Sequence, residues 1–285
     1  MFYLIQLLNG VQYGLLLFLL ASGLTLIFGI MGVMNLAHGS FYMIGAYLAY
    51  WLIKITGSLW LTIPLGLSIA LIIGLALEQT FFSRLYKRDH LYQVLLTFGL
   101  ILILEELRSV LFGDDVHGVA VPALLDFSIP LTDTLSYPVY RLFLTGVCLV
   151  VAAAMVLVIR RTRLGMMIRA GSSNREMAAS LGVNIPLLFA LVFAFGTALA
   201  AFAGMIAAPI SSVFPGMGNQ ILIICFVVVV IGGIGSIYGA MIASLAIGLA
   251  DTVGKVLAPE LSGIAIYLLM AVILLWRPQG LTNKA

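Results

Sequence analysis

Apolar runs of about eighteen residues or more recur from one end of this chain to the other, and no other feature restricts its fold so strongly. A run of that length crosses a hydrocarbon layer about 30 Å thick as a helix. Within that layer each backbone N–H and C=O must find a partner in its own segment, which helices provide. The runs divide at 8–29, 36–54, 60–82, 91–112, 139–159, 187–208, 219–238, 239–256 and 262–276. Glycines and small polar residues blur the first pair and the seventh and eighth, so eight spans with a re-entrant segment stand beside nine. The composition agrees: 63% hydrophobic and 9% charged residues, with a mean hydropathy of +1.19, exclude a soluble fold. The sequence therefore predicts an all-α polytopic membrane protein of eight or nine transmembrane helices with broken or re-entrant segments. One transmembrane domain should fill 1–285, with 1–159 and 187–285 flanking a polar island at 160–186. No basic residue precedes Lys54, so the first run reads as a mature span rather than a cleaved signal.

Ten of the 14 Lys and Arg lie in 83–90, 160–186 and 277–285, which places those segments in the cytoplasm. The 113–138 loop carries Asp114, Asp115, Asp126 and Asp133 without a basic residue and should face outward. Nine spans would then leave the N-terminus outside and the C-terminus inside. The net charge of +3 follows from this loop asymmetry and implies no nucleic-acid partner.

The island RRTRLGMMIRAGSSNREMAASLGVNIP contains a short helix signal. Ser173 stands three residues before Glu176, the spacing of a capping box. Gly182 supplies a left-handed stop, and Pro186 blocks continuation. About eight helical residues would extend roughly 12 Å. Met177 and Leu181 share one face, with Ala178 and Ala179 beside them. Such a helix is either a docking element or an interfacial turn held to anionic lipid by the arginines.

Five spans before the island and about four after it make an inverted repeat plausible, with glycine-broken regions at Gly29–Gly39 and Gly232–Gly239. Asn35, His38 and Ser40 sit in the first break. They either brace the junction by hydrogen bonds or border a transport pathway, where an exposed helix start could receive a carboxylate. The second break runs Gly232, Gly233, Ile234, Gly235, Ser236, Ile237, Tyr238, Gly239, and Gly235, Gly239 and Ala243 make a small-residue stripe for close helix contact. No strand precedes it and no Walker loop occurs, so any ATP must be handled by another chain. Glu105, Glu106 and Arg108, and Asp251 with Lys255, fall toward the outer ends of their spans; rim ion pairs fit better there than proton coupling, which would make a secondary transporter. Cys148 and Cys225 read as packing residues. His38, His90 and His117 are scattered without a catalytic constellation, and no cofactor or metal is called for.

The phrases at 23–50, 169–184 and 232–244 (GLTLIFGIMGVMNLAHGSFYMIGAYLAY, RAGSSNREMAASLGVN and GGIGSIYGAMIAS) resemble the inner-membrane permease subunits of branched-chain amino-acid ABC importers. The chain is most similar to the shorter of that family's two permeases. The resemblance implies a heterodimer with a second homologous permease, two peripheral ATPase subunits, a periplasmic solute-binding protein and a lipid bilayer as surroundings. It also implies a coupling loop at Arg169–Asn184, with Glu176, Ala178, Ala179 and Gly182 matching its Glu-Ala-Ala and Gly positions and Met177 interrupting them. Permeases for urea, short amides and aromatic acids are similar as well.

Overall fold

The computed structural model describes residues 2–86, 88–132, 135–257 and 259–282; Lys87, Asp133 and Lys284, used in the charge argument above, lie outside them. The elements are α1 (Phe2–Met31), α2 (His38–Thr56), α3 (Leu59–Thr80), α4 (His90–Phe112), β1 (Ser128–Thr132), β2 (Leu135–Pro138), α5 (Val139–Arg161), α6 (Arg163–Ser173), α7 (Arg175–Ser180), α8 (Ile185–Ser211), α9 (Met217–Gly232), α10 (Ile237–Leu257) and α11 (Ser262–Trp276). Each predicted run overlaps one helix, although the 219–238 run passes the end of α9 and enters α10, and the all-α polytopic class holds. The helices of α1, α3, α5, α8 and α10 are long and apolar enough to cross a membrane alone, while α9 and α11 are shorter apolar helices. Two elements were not expected: the β1–β2 antiparallel hairpin in the acidic loop and α6 in the polar island, which Thr162 caps by accepting from the Gly165 amide at 3.2 Å.

The core explains why α1 is apolar on every face: residues Leu15–Ile27 are buried without interruption. It packs against α10, α8, α5 and α9, while α8 packs against α2, α3 and α1. The pairing repeats itself. The α1–α10 contact corresponds to α8–α3, and α2–α3 corresponds to α9–α10, while α1–α8 and α2–α9 meet each other. Thus α1–α3 and α8–α10 make matching sets of contacts. At the crossing of α1 and α8, a Cβ on Gly23 would stand 2.7 Å from the Gly196 carbonyl oxygen, and one on Gly196 would stand 3.0 Å from that of Gly23.

The first break is as expected in place. His38 reaches the Leu20 carbonyl, yet α1 continues eleven residues beyond Leu20, about 16 Å along its axis. The chain at 32–37 therefore turns back along α1, and α2 begins inside the bundle. The second break lies elsewhere than expected. It is the 212–216 link between α8 and α9, where Ser212 and Gly216 take φ of 50° and 79°. The Gly232–Gly239 stretch is instead the reversal between α9 and α10. Gly233 and Gly235 have φ of 93° and 79° there, values that a helix continuing through them would not allow. This turn lies at the arginine-rich end, with the Arg160 guanidinium 4.9 Å from the Tyr238 ring centroid. At the opposite end His117 pairs with Val213 through their backbones, and Tyr137 and Arg141 both donate to Asn9.

Candidate functional site: a buried helix junction and an exposed helix

The first break is held by its own polar groups. Asn35 and His38 are fully buried. The Asn35 side-chain oxygen accepts from the Ala37 amide at 3.1 Å, which fixes the tight approach to α2. His38 Nε2 lies 3.0 Å from the Leu20 carbonyl oxygen, so Nε2 carries the proton and donates. Ser40 is buried one turn into α2, and its amide donates to the Ala37 carbonyl at 3.0 Å. Gly39 then meets Gly218 at the start of α9, and a Cβ on either would collide with the other's backbone. The starts of the two interrupted helices thus touch in the interior, with Phe41 edge-on to Phe193 beside them.

The glycine cluster forms a separate unit. The Ser236 hydroxyl accepts from the Gly239 amide at 3.1 Å and caps α10. Gly239 backs onto the Gly232 carbonyl, and Thr282 donates to that same oxygen at 2.7 Å. Gly235 faces Gly29 from the turn preceding α10, so Gly235, Gly239 and Ala243 do not form one helical stripe as expected. Gly233 lies against Gly280. The structure therefore gathers Asn35, His38 and Ser40 at one place and Gly232, Gly233, Gly235, Ser236 and Gly239 at another.

Gly218 and the 212–216 break were missed, although Pro209, Ser211, Ser212, Pro215 and Gly216 supply breaker residues between the sixth and seventh runs. Glu78 was missed too. It is buried on α3 and accepts from the Tyr86 hydroxyl. Its signal was a lone acid inside an apolar run.

The short helix in the island exists, with a different start. Ser173 ends α6 and is not a cap. The Asn174 amide still bonds back to Ala170, so Ser173 remains in helical conformation and the chain leaves the helix only at Asn174. Asn174, at φ −152° and ψ 107°, caps α7 by accepting from the Met177 amide at 3.0 Å. Glu176 therefore sits in the first turn, where a carboxylate complements the helix dipole, rather than completing a box with Ser173. At the other end Gly182, at φ +89°, donates to Ala179 while Val183 donates to Ala178, a Schellman closure. The helix has six residues, about 9 Å. Ala178 is buried against the bundle, whereas Met177 and Leu181 are 64% and 79% exposed, with Glu176 and Ala179 also outward. Pro186 falls in the first turn of α8, which Asn184 caps. Arg175 ties α7 to two places: its guanidinium lies 5.4 Å from the Phe189 ring centroid on α8, and it abuts Gly32 at the start of the first break.

Two sets of charge pairs lie at the other end. Arg108 pairs with Asp114 at 2.6 Å and with Glu105 at 3.4 Å. Its guanidinium, with the Ser109 hydroxyl, holds the exposed Asp114 below the usual carboxylate range. Lys255 pairs with Asp251 at 2.6 Å. Cys148 and Cys225 are free and buried in the packing.

Matching sets of helix contacts, with helices that begin inside the bundle and a capped helix displayed at the basic end, define a multi-pass membrane permease. The family model described as branched-chain amino acid transport system / permease component matches residues 6–274, and the chain belongs to this family. It is 31% identical to the high-affinity branched-chain amino acid transport system permease protein BraD of Pseudomonas aeruginosa, over 99% of this chain and 96% of that one. It is 30% identical to the corresponding LivH protein of Escherichia coli, over 100% and 96%. A probable branched-chain amino acid transport permease protein LivH of Methanocaldococcus jannaschii is 28% identical over 86% of this chain and 78% of its own. No solved structure matches the chain significantly.

Proposed function

We propose that this chain is the inner-membrane permease subunit of an ABC importer for branched-chain or other hydrophobic amino acids, working by alternating access and powered by ATPase subunits on other chains. The observation that carries the proposal is α7: a rigidly capped helix whose apolar Met177 and Leu181 point away from the bundle at its basic end. The relatives' names supply the solute class. The basic end, with 160–186 and the C-terminus, faces the cytoplasm, and the N-terminus lies in the periplasm. There α7 seats in an ATPase groove, while a second homologous permease completes the pathway and a periplasmic binding protein delivers the solute.

Force on α7 has a short route inward. Arg175 bears on Phe189 and on Gly32, so displacement of α7 reaches both α8 and the break that precedes α2. The break leads into α2, which meets α9 at the Gly39–Gly218 contact, and rocking one half against the other would open or close the bundle there. Selection by the binding protein leaves the pathway needing only weak contacts. Glu105 of α4 and Asp251 of α10 are paired with cations near the rim, an arrangement of local stabilisation rather than proton coupling.

The test is uptake into proteoliposomes carrying the complete complex. Labelled leucine should accumulate only with ATP inside the compartment that faces the ATPases and with binding protein on the other side. Accumulation driven by a proton gradient without ATP would contradict the proposal. Uptake of urea, a short amide or an aromatic acid in place of leucine would replace the solute and leave the architecture standing.

A further inference from the structure

A cavity of about 720 Å³ lies between α2, α3 and α4, apart from the junction and from α7. On α2 it extends from Met43 to Lys54, about 16 Å by helical rise. That is close to half of the roughly 30 Å hydrocarbon layer, the depth of one leaflet. Its walls are apolar, with Ile73 and Leu77 of α3 facing Leu104 and Leu107 of α4. Trp51, Leu107 and Leu111 are exposed, so the slot opens sideways toward lipid.

The polar groups gather at one end. Lys54 stands at the rim over the Tyr50 ring, and no carboxylate pairs with it among the described residues. Deeper in, Arg108 is already paired with Glu105 and Asp114, which leaves Lys54, among the described slot residues, as the cation without a carboxylate. An occupant must then be long and apolar, with a negative charge at one end. A free amino acid is far too short to fill 16 Å of slot.

We propose that the slot holds one phospholipid molecule, an acyl chain lying between α2, α3 and α4, with its phosphate at Lys54. The lipid fills the gap between α4 and α3, so that α4 is held to the rest of the bundle partly through lipid.

The test uses the assembled transporter in nanodiscs doped with phosphatidylglycerol bearing a diazirine near the middle of one chain. Photolabelled peptides should map to 43–54 and 104–112. Diacylglycerol with the same diazirine chain should label these peptides weakly. Lys54→Gln, an exposed change, should cut labelling by phosphatidylglycerol about fivefold, the effect of one cation near a phosphate surface. Ile73→Trp, which fills the slot, should abolish labelling while ATP-driven leucine uptake persists. Equal labelling by both probes, label spread evenly over all outward helix faces, or protection of the slot by excess leucine would each overturn the proposal. So would labelling of the isolated chain that vanishes in the complex, since the slot would then belong to the partner permease.

Discussion

The buried junction at 32–39 and the displayed helix α7 solve opposite problems with similar residues. At the junction, backbone meets backbone, and polar side chains exist to satisfy a chain turned back inside an apolar bundle. In α7, caps at both ends make six residues rigid so that two apolar side chains can remain in water. The comparison teaches where each region is fragile. The junction depends on the absence of side-chain volume, whereas α7 depends on backbone conformation and on a surface that the chain itself leaves uncovered.

Adding volume should hurt only the junction. Gly39→Leu forces apart the starts of α2 and α9 and should cost about 3 kcal/mol or more, seen as a large fall in melting temperature or loss of monodisperse protein. Gly99→Leu on α4, where nothing lies within 4 Å, should be neutral or slightly stabilising. Equal damage from both would erase the distinction. At α7 backbone strain should hurt without added volume. Gly182 has open space around it, so Gly182→Val tests its φ of +89° alone and should cost about 1–2 kcal/mol locally. Gly182→Asn should be tolerated, because Asn visits the left-handed region with less strain. Hydrogen exchange at the 174–183 amides reads this directly.

Smaller effects sharpen the boundary of α7. Asn174→Ala should cost about 1 kcal/mol of local stability, while Ser173→Ala should stay within about 0.5 kcal/mol. The reverse order would restore the capping box that the spacing suggested. Arg163→Ala should leave solute-stimulated ATP hydrolysis nearly unchanged, in contrast to Arg175→Ala, which removes the contacts to Phe189 and Gly32.

Much of the fold was legible because hydrophobic length alone sets where helices run in a membrane. The nine runs found their helices, and Gly182 was recognised from its place after an apolar face. What failed depended on tertiary context. Ser173 and Asn174 are both good caps, and only the extension of α6 through Ser173 decides between them. Gly232–Gly239 drew attention by its glycine density, yet those glycines make a turn at the bundle's end. The second break uses Ser212 and Gly216, with less conspicuous residues. The slot between α2, α3 and α4 could not be read at all, since a gap between helices is a property of the folded arrangement.

The central claim is that α7 transmits ATPase motion through its exposed apolar face. The most direct measurement is ATP hydrolysis by purified complexes, with and without leucine-loaded binding protein, for the double change Met177→Asp and Leu181→Asp. Both side chains point outward, so the bundle should fold and the two permeases should pair as before. The account predicts that stimulation by loaded binding protein disappears, or that the ATPases no longer co-purify. Full stimulation with the ATPases still bound would contradict it.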